Sequence, residues 1–396
     1  MDILVFGGTF NPPHRGHTEA LRAAIAAFCA ERALVIPTAL PPHKSMPSQT
    51  PPPQARMEMC RLAFGALPQA EVSDMELRRG GVSYTVDTLT QLRQEYPEAR
   101  LLLLMGGDML KTLATWHEAE YILSAVKIGA FPRTSGREKR ALEDTVKSLK
   151  ARYGATVELL PLKPRPVSST QVRRALRFRG GAGQLSARVY GYIVKHRLYG
   201  VKVNFDWLRA RGYAMLKPSR VAHVQGCEEE AVRLAQRWRA DPDKAAEAAI
   251  LHDCTKKEAL PEQLQLCEKY GIIPDGIERE NGKLLHAPTG AAVAEREFGM
   301  SPDVVSAIRW HTTGRQNMTL LEKIMYMADY IEPNRDFEGV DALRKLAYED
   351  LDRALLLGFQ MSLDEVRSRG EEPHRCTVEA EQRYRQRIDC SDNIII

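Results

Sequence analysis

The chain has 396 residues, 44% of them hydrophobic and 27% charged, which favours two globular domains over one and excludes a disordered or low-complexity protein. A formal net charge of +5 suits anionic substrates but is too diffuse to make nucleic acid an expected partner. Seven cysteines without CxxC spacing fit free thiols, and no stretch has the length of a membrane span or the pattern of a signal peptide, so a cytoplasmic protein with no membrane partner is expected.

In chain order, residues 3–6 are four apolar residues and read as a buried strand. Gly7-Gly8 is expected to turn the backbone sharply at the strand's carboxyl end. A helical pattern begins near Gly16, and His14 and His17, three apart, are aimed the same way by a helical turn. Backbone N–H groups and two imidazoles at a helix start make an anion site. Residues 21–29 read as a helix and 34–37 as a second strand. Pro41-Pro42-His43-Lys44 opens a proline-rich surface flap that runs to Pro53. Residues 54–64 read as a helix and Val72 as part of a short strand. Ser83-Tyr84-Thr85-Val86-Asp87-Thr88-Leu89 is expected to cap a helix, with the hydroxyls and Asp87 as first-turn residues. Residues 101–105 form another fully buried strand, ending in Gly106-Gly107-Asp108 at the edge where open parallel sheets bind ligands. Trp116 follows, then a strand over 126–131 and Arg133. Ser168-Ser169-Thr170-Gln171-Val172-Arg173 opens a helix; an N-cap accounts for one hydroxyl, not for three with an arginine.

The string Gly7-Gly8-Thr9-Phe10-Asn11-Pro12-Pro13-His14-Arg15-Gly16-His17 resembles the T/HxGH signature of the nucleotidylyltransferase superfamily. It is most like that of the nicotinate-mononucleotide adenylyltransferases, many of which carry Asp where this chain has Asn11. Residues 168–173 resemble the superfamily's ISSTxxR motif, and residues 189–199 resemble the end of these enzymes, so the resemblance covers roughly residues 1–200. It implies an α/β fold with a Rossmann-like doubly wound parallel sheet, and transfer of AMP from ATP to nicotinate mononucleotide, giving deamido-NAD and pyrophosphate in NAD biosynthesis. It also implies an ATP site of Gly8, Thr9, His14, His17, Arg133, Ser168, Ser169, Thr170 and Arg173. The mononucleotide would meet Lys44, Ser83, Tyr84, Thr85, Gly107, Asp108 and Trp116, the tryptophan stacking on the pyridine ring. The attacking phosphate oxygen is already anionic, so the reaction needs alignment and charge neutralisation rather than a base. His14, His17, Lys44 and Arg173 are the catalytic candidates. No dense acidic cluster offers a cage for magnesium, so Mg²⁺ is expected to arrive on the ATP phosphates.

After a connector at residues 201–206 the strand signals stop, and helical patterns dominate over 207–385, with 386–396 read as a tail. His223, His252-Asp253, His286, His311 and Asp329 fall on helical or capped apolar segments. Four histidines and two aspartates in such a bundle are better explained by metal than by packing. The spacing resembles the HD phosphohydrolase superfamily. Arg220-Val221-Ala222-His223, Leu251-His252-Asp253-Cys254-Thr255-Lys256, His311-Thr312-Thr313-Gly314 and Ala328-Asp329-Tyr330-Ile331-Glu332-Pro333-Asn334-Arg335 look like the bacterial HD-type symmetrical diadenosine-tetraphosphate hydrolases. The resemblance implies an all-α bundle with a two-metal site that cleaves diadenosine tetraphosphate to two ADP. The ligands would be His223, His252, Asp253, His286, His311 and Asp329, with Asp253 bridging and Arg220, Lys256 and Arg335 on the phosphates. Iron or manganese leads as the metal, with zinc also compatible with such ligands. His374 lies outside this pattern and reads as structural. The competing function is an adenylyltransferase carrying a regulatory nucleotide- or RNA-binding HD module.

Overall fold

A computed structural model describes residues 1–42, 45–131, 137–161 and 167–392. The chain divides into two compact units, Met1–Val203 and Asn204–Ile396. Among its described residues the first is built on six parallel strands, β1 (Asp2–Gly8), β2 (Arg32–Pro37), β3 (Ala70–Val72), β4 (Arg100–Gly106), β5 (Lys127–Phe131) and β6 (Val157–Leu159). Their order in the sheet is β3-β2-β1-β4-β5-β6. Val5 lies between Leu34 and Leu103, and both central strands are apolar on both faces, as a sheet covered on both sides requires. The helices are α1 (Arg15–Phe28), α2 (Pro53–Phe64), α3 (Met75–Arg79), α4 (Thr85–Glu95), α5 (Gly107–Thr112), α6 (Ala119–Ala125), α7 (Arg137–Tyr153), α8 (Ser169–Leu176) and α9 (Ala187–Lys195). The winding reverses between β1 and β4. Right-handed crossovers then send the two sets of helices to opposite faces and leave a crevice at the carboxyl ends of these two strands.

Two local expectations are corrected. Gly7 and Gly8 do not turn; they finish β1. The left-handed residue is Phe10, at φ 43°, held there by ring contacts to Phe6, Phe64 and His17. Gly8 eases this packing, because a Cβ there would stand 3.2 Å from the Phe10 ring. Thr85 and Asp87 do fall in the first turn of α4, but no hydroxyl caps it. Its N-cap is Tyr84, without a side-chain hydrogen bond, and Ser83 Oγ accepts instead from the Ala39 N–H at 3.1 Å.

The described part of the second unit is helical: α10 (Phe205–Tyr213), α11 (Val221–Trp238), α12 (Pro242–Leu251), α13 (Leu260–Tyr270), α14 (Gly276–Glu280), α15 (Gly282–Arg296), α16 (Pro302–Arg309), α17 (Leu320–Ile331), α18 (Val340–Glu349), α19 (Leu351–Ser368) and α20 (Arg375–Asp392). Side-chain caps start many of them. Asn204 accepts from the Trp207 N–H at 2.9 Å, so α10 begins inside the stretch expected to be a linker. Asp241, Asp275, Thr319 and Asp350 cap α12, α14, α17 and α19 in the same way. The expected tail is also shorter, because α20 continues through residues 386–392. No described helix is long and apolar enough to cross a membrane.

Candidate active sites

In the first unit a cavity of about 320 Å³ opens at the switch point of the sheet. Gly7, Gly8 and Thr9 from the end of β1 line it, with Gly106 and Asp108 from the end of β4, and His17, Ser83, Tyr84, Thr85 and Trp116. His14 lies behind His17, the rings stacked with centroids 3.7 Å apart. The His14 backbone N–H donates to His17 Nδ1 at 3.2 Å, leaving the proton of a neutral His17 ring on Nε2. Gly107 does not line the cavity. It lets α5 pack against α7, since a Cβ there would stand 2.7 Å from Leu142. Lys44 and Arg133 lie outside the described residues.

The second motif reaches the first through the loop after β1. Ser168 caps α8, its Oγ accepting from the Gln171 N–H at 3.2 Å. Ser169 Oγ donates to the Pro12 carbonyl at 2.9 Å, and Arg173 donates to the Asn11 carbonyl at 2.7 Å and to Thr170 Oγ1 at 3.1 Å. Asn11 itself is bonded at both ends of its amide, donating to Thr50 Oγ1 and accepting from Tyr199 Oη, each at 2.9 Å. An aspartate there would lose the donor to Thr50.

Two residues of this wall escape sequence reasoning. Arg56 is fully buried and donates to the carbonyls of Thr9 and Thr38, tying the ends of β1 and β2 together. Glu76 lines the cavity, accepting from Thr88 Oγ1 at 2.9 Å, and burial pushes its carboxyl above the usual range. Neither falls in a motif; only the fold brings them to the loop.

In the second unit six side chains from five segments converge. His223 comes from α11, His252 and Asp253 follow α12, His286 lies in α15, His311 follows α16, and Asp329 lies in α17. The Asp253 carboxylate divides between two histidine pairs. Oδ2 is 3.4 Å from His252 Nε2 and 3.8 Å from His223 Nε2; Oδ1 is 3.0 Å from His286 Nε2 and 3.8 Å from His311 Nε2. Asp329 Oδ1 lies 3.0 Å from His223 Nε2 and 3.9 Å from His252 Nε2.

The remote nitrogens set the ring orientations. Nδ1 of His252 and of His311 each contact a backbone carbonyl at 2.7 Å, that of Ala249 and Ile308, and His223 Nδ1 lies 3.1 Å from Glu332 Oε1. Second-sphere contacts of this kind fix which nitrogen is presented. Glu332 is buried, and it reaches α11 only because Gly226 leaves room: a Cβ there would stand 2.3 Å from Glu332 Oε2.

The electrostatics suit metal ligation. Burial drives the carboxyl of Asp253 upward, but the His252 charge, with His286 and Lys256, outweighs it and holds Asp253 well below the usual carboxylate range. Asp329 is held down likewise, against burial, by His223, His252, Lys256 and Arg335. Burial lowers the imidazole pKa of His286 and, further, that of His311. Fully buried His252 Nε2 nevertheless has no well-formed hydrogen bond, and a divalent cation would give it a partner. His223, His252 and Asp329 form one compact donor group with Cys227, and His252, Asp253 and His311 form another. Arg220 Nε lies 2.5 Å from Asp253 Oδ2, Lys256 Nζ 3.2 Å from Asp253 Oδ1, and Arg335 donates to Asp329 Oδ1 at 2.9 Å. His374 pairs with Asp275 at 2.9 Å, at the start of α20.

A phosphate-type loop at the switch point of a parallel sheet, and a buried histidine–carboxylate cluster in a helical unit, define the class: a nucleotidyltransferase-like unit and a metal-dependent hydrolase-like unit in one chain. Residues 5–175 match the cytidylyltransferase-like family and residues 220–334 the HD domain. A Mycoplasma pneumoniae protein named "Probable nicotinate-nucleotide adenylyltransferase/Ap4A hydrolase" is 31% identical over 373 residues, covering 92% of this chain and 99% of the relative. A Bacillus subtilis protein named "Bis(5'-nucleosyl)-tetraphosphatase, symmetrical" is 46% identical over 149 residues, 37% of this chain and 80% of the relative. A Geobacter metallireducens protein named "Probable nicotinate-nucleotide adenylyltransferase" is 35% identical over 210 residues, 49% of this chain and 96% of the relative. The chain belongs to the family of two-part nicotinate-nucleotide adenylyltransferase/Ap4A hydrolase proteins.

Proposed function

We propose that the first unit transfers AMP from ATP to nicotinate mononucleotide, and that the second hydrolyses diadenosine tetraphosphate to two ADP. The carrying observation is the division of Asp253 between two pairs of histidines, which suits two cations side by side. The intact ligand set favours hydrolysis over a regulatory HD module, since sensing alone has no need of six aligned donors.

In the first unit the work is positioning and charge. The loop after β1 and the start of α1 receive the triphosphate, with His17 Nε2–H as a donor. Thr170 and Arg173, beside the same loop, and Lys44 supply further donors for the charge that grows on the leaving pyrophosphate. Mg²⁺ arrives on the ATP phosphates. On the far wall Ser83, Tyr84 and Thr85 present hydroxyls at the start of α4, whose first-turn N–H groups have no side-chain cap and favour an anion. Trp116, on the cavity wall, is the residue proposed to cover the pyridine ring. The acid is therefore preferred over the amide, and kcat/KM for nicotinate mononucleotide should exceed that for the nicotinamide form at least about tenfold. Equal values, or an amide preference, would refute this.

In the second unit His223, His252, Asp253, His286, His311 and Asp329 hold the cations, with iron or manganese the leading identities. When bound, the ions supply Lewis acidity and a water acidified enough to attack at neutral pH. Glu332 and the Ala249 and Ile308 carbonyls orient the imidazoles, and Arg220, Lys256 and Arg335, now paired with the carboxylates, turn toward substrate phosphates. Product analysis tests the register of cleavage: two ADP is expected, and AMP with ATP would mean attack at another phosphorus.

A further inference from the structure

We propose that Cys227 is a thiolate ligand of this metal centre, so that one of its two positions is sulfur-bound and the other is not. The inference rests on reading the helical unit as a metal centre, and adds a donor that the histidine–aspartate pattern does not contain. Cys227 stands four residues after His223 on α11, which puts both side chains on one face of the helix. Its Sγ is 3.3 Å from His223 Nε2 and 3.9 Å from Asp329 Oδ1. One donor atom from each of His223, Cys227, His252 and Asp329 lies within 4.8 Å of all the others. Bonds of about 2.0–2.3 Å to a tetrahedral ion place donors roughly 3.3–3.8 Å apart, so this group needs only a small contraction.

Two further observations point inward. His252 Nε2 is fully buried without a well-formed hydrogen bond, and it faces this group. His223 Nδ1 is occupied by Glu332, so His223 presents to the sulfur the nitrogen that would ligate. A cysteine that merely fills space would meet carbon, whereas this one meets two donors. The other position, where Asp253 Oδ1 faces His286 and His311, draws on nitrogen and oxygen donors. Ligation releases the thiol proton to solvent. A thiolate then biases the first position toward zinc, cobalt or iron over manganese and magnesium.

Cobalt(II) titration of the chelator-stripped full chain reads this directly. The expected result is visible d–d absorption together with a near-ultraviolet sulfur-to-cobalt charge-transfer band that saturates after one of the two cobalt ions is bound. Cys227→Ser should lose that band and keep the d–d absorption, while Cys254→Ser, with its sulfur outside both donor groups, keeps both. Zinc binding by Cys227→Ser should weaken at least about tenfold relative to manganese binding. Wild-type protein that binds cobalt without the charge-transfer band overturns the thiolate assignment and leaves the metal centre standing. Wild-type protein that binds no cobalt overturns the metal centre itself. Because both readings come from the unaltered chain, a poorly folding variant does not rescue the proposal.

Discussion

Asp253→Ala is expected to abolish tetraphosphate hydrolysis and strip the helical unit of metal, while adenylyl transfer stays near the wild-type rate. Asp253 has one oxygen 3.0 Å from His286 Nε2 and the other 3.4 Å from His252 Nε2, so its loss removes a donor from both halves of the cluster at once. Arg220 and Lys256 both lose the carboxylate they pair with, Arg220 keeping only Asp329 at 3.9 Å. Removing one member of a buried ion pair costs about 3–5 kcal/mol, so the variant should also melt earlier. Asp253→Asn separates the two effects: it keeps the volume and one acceptor but lacks the charge, so it should fold better and still hold less metal. Metal analysis, melting and both activities on the same preparations decide the matter. Full hydrolysis by either variant would remove Asp253 from its proposed role. The transferase is spared because its residues all lie in the Met1–Val203 unit.

The parts of these sites that were legible in the sequence are those written in local spacing. His14 and His17 lie within one helical turn, and the hydroxyls and arginine of Ser168 through Arg173 within two, so local spacing is enough to predict that each set acts together. The strands were legible for a similar reason, since a stretch such as residues 101–105 has no polar face to leave exposed. The supporting residues were not legible, because their partners are distant in the chain. Glu332 meets His223 across 109 residues, and Tyr199 meets Asn11 across 188. The glycine pair misled for a physical reason. Glycine permits a left-handed turn without requiring one, and here the aromatic packing of Phe10 took that conformation while Gly8 made space for its ring. Cys227 was visible as a residue four places after His223, but helical spacing gains meaning as a ligand pair only when His252 and Asp329 are brought against it.

His17→Ala is expected to lower kcat of adenylyl transfer by at least about a hundredfold, near 3 kcal/mol of transition-state stabilisation, the cost of deleting one preorganised donor. The ring is fixed from three sides. Its Nδ1 accepts from the His14 N–H at 3.2 Å, its face stacks on His14, and its edge meets the Phe10 ring at 5.2 Å between centroids. A donor held this firmly pays little reorganisation as charge moves from the α-phosphorus to the leaving pyrophosphate. In the ground state the triphosphate is already shared with other donors and with Mg²⁺, so KM for ATP should change only a few-fold. His17 is half-buried on the cavity wall, so its loss should leave the sheet intact. His17→Asn, which can still present an N–H, should recover part of the lost rate without matching wild type. Steady-state kinetics on the three proteins, with circular dichroism as the control for folding, distinguish the outcomes. A large rise in KM with kcat unchanged would mean that His17 binds ATP without assisting its reaction, and near-normal turnover in the alanine variant would remove it from the mechanism.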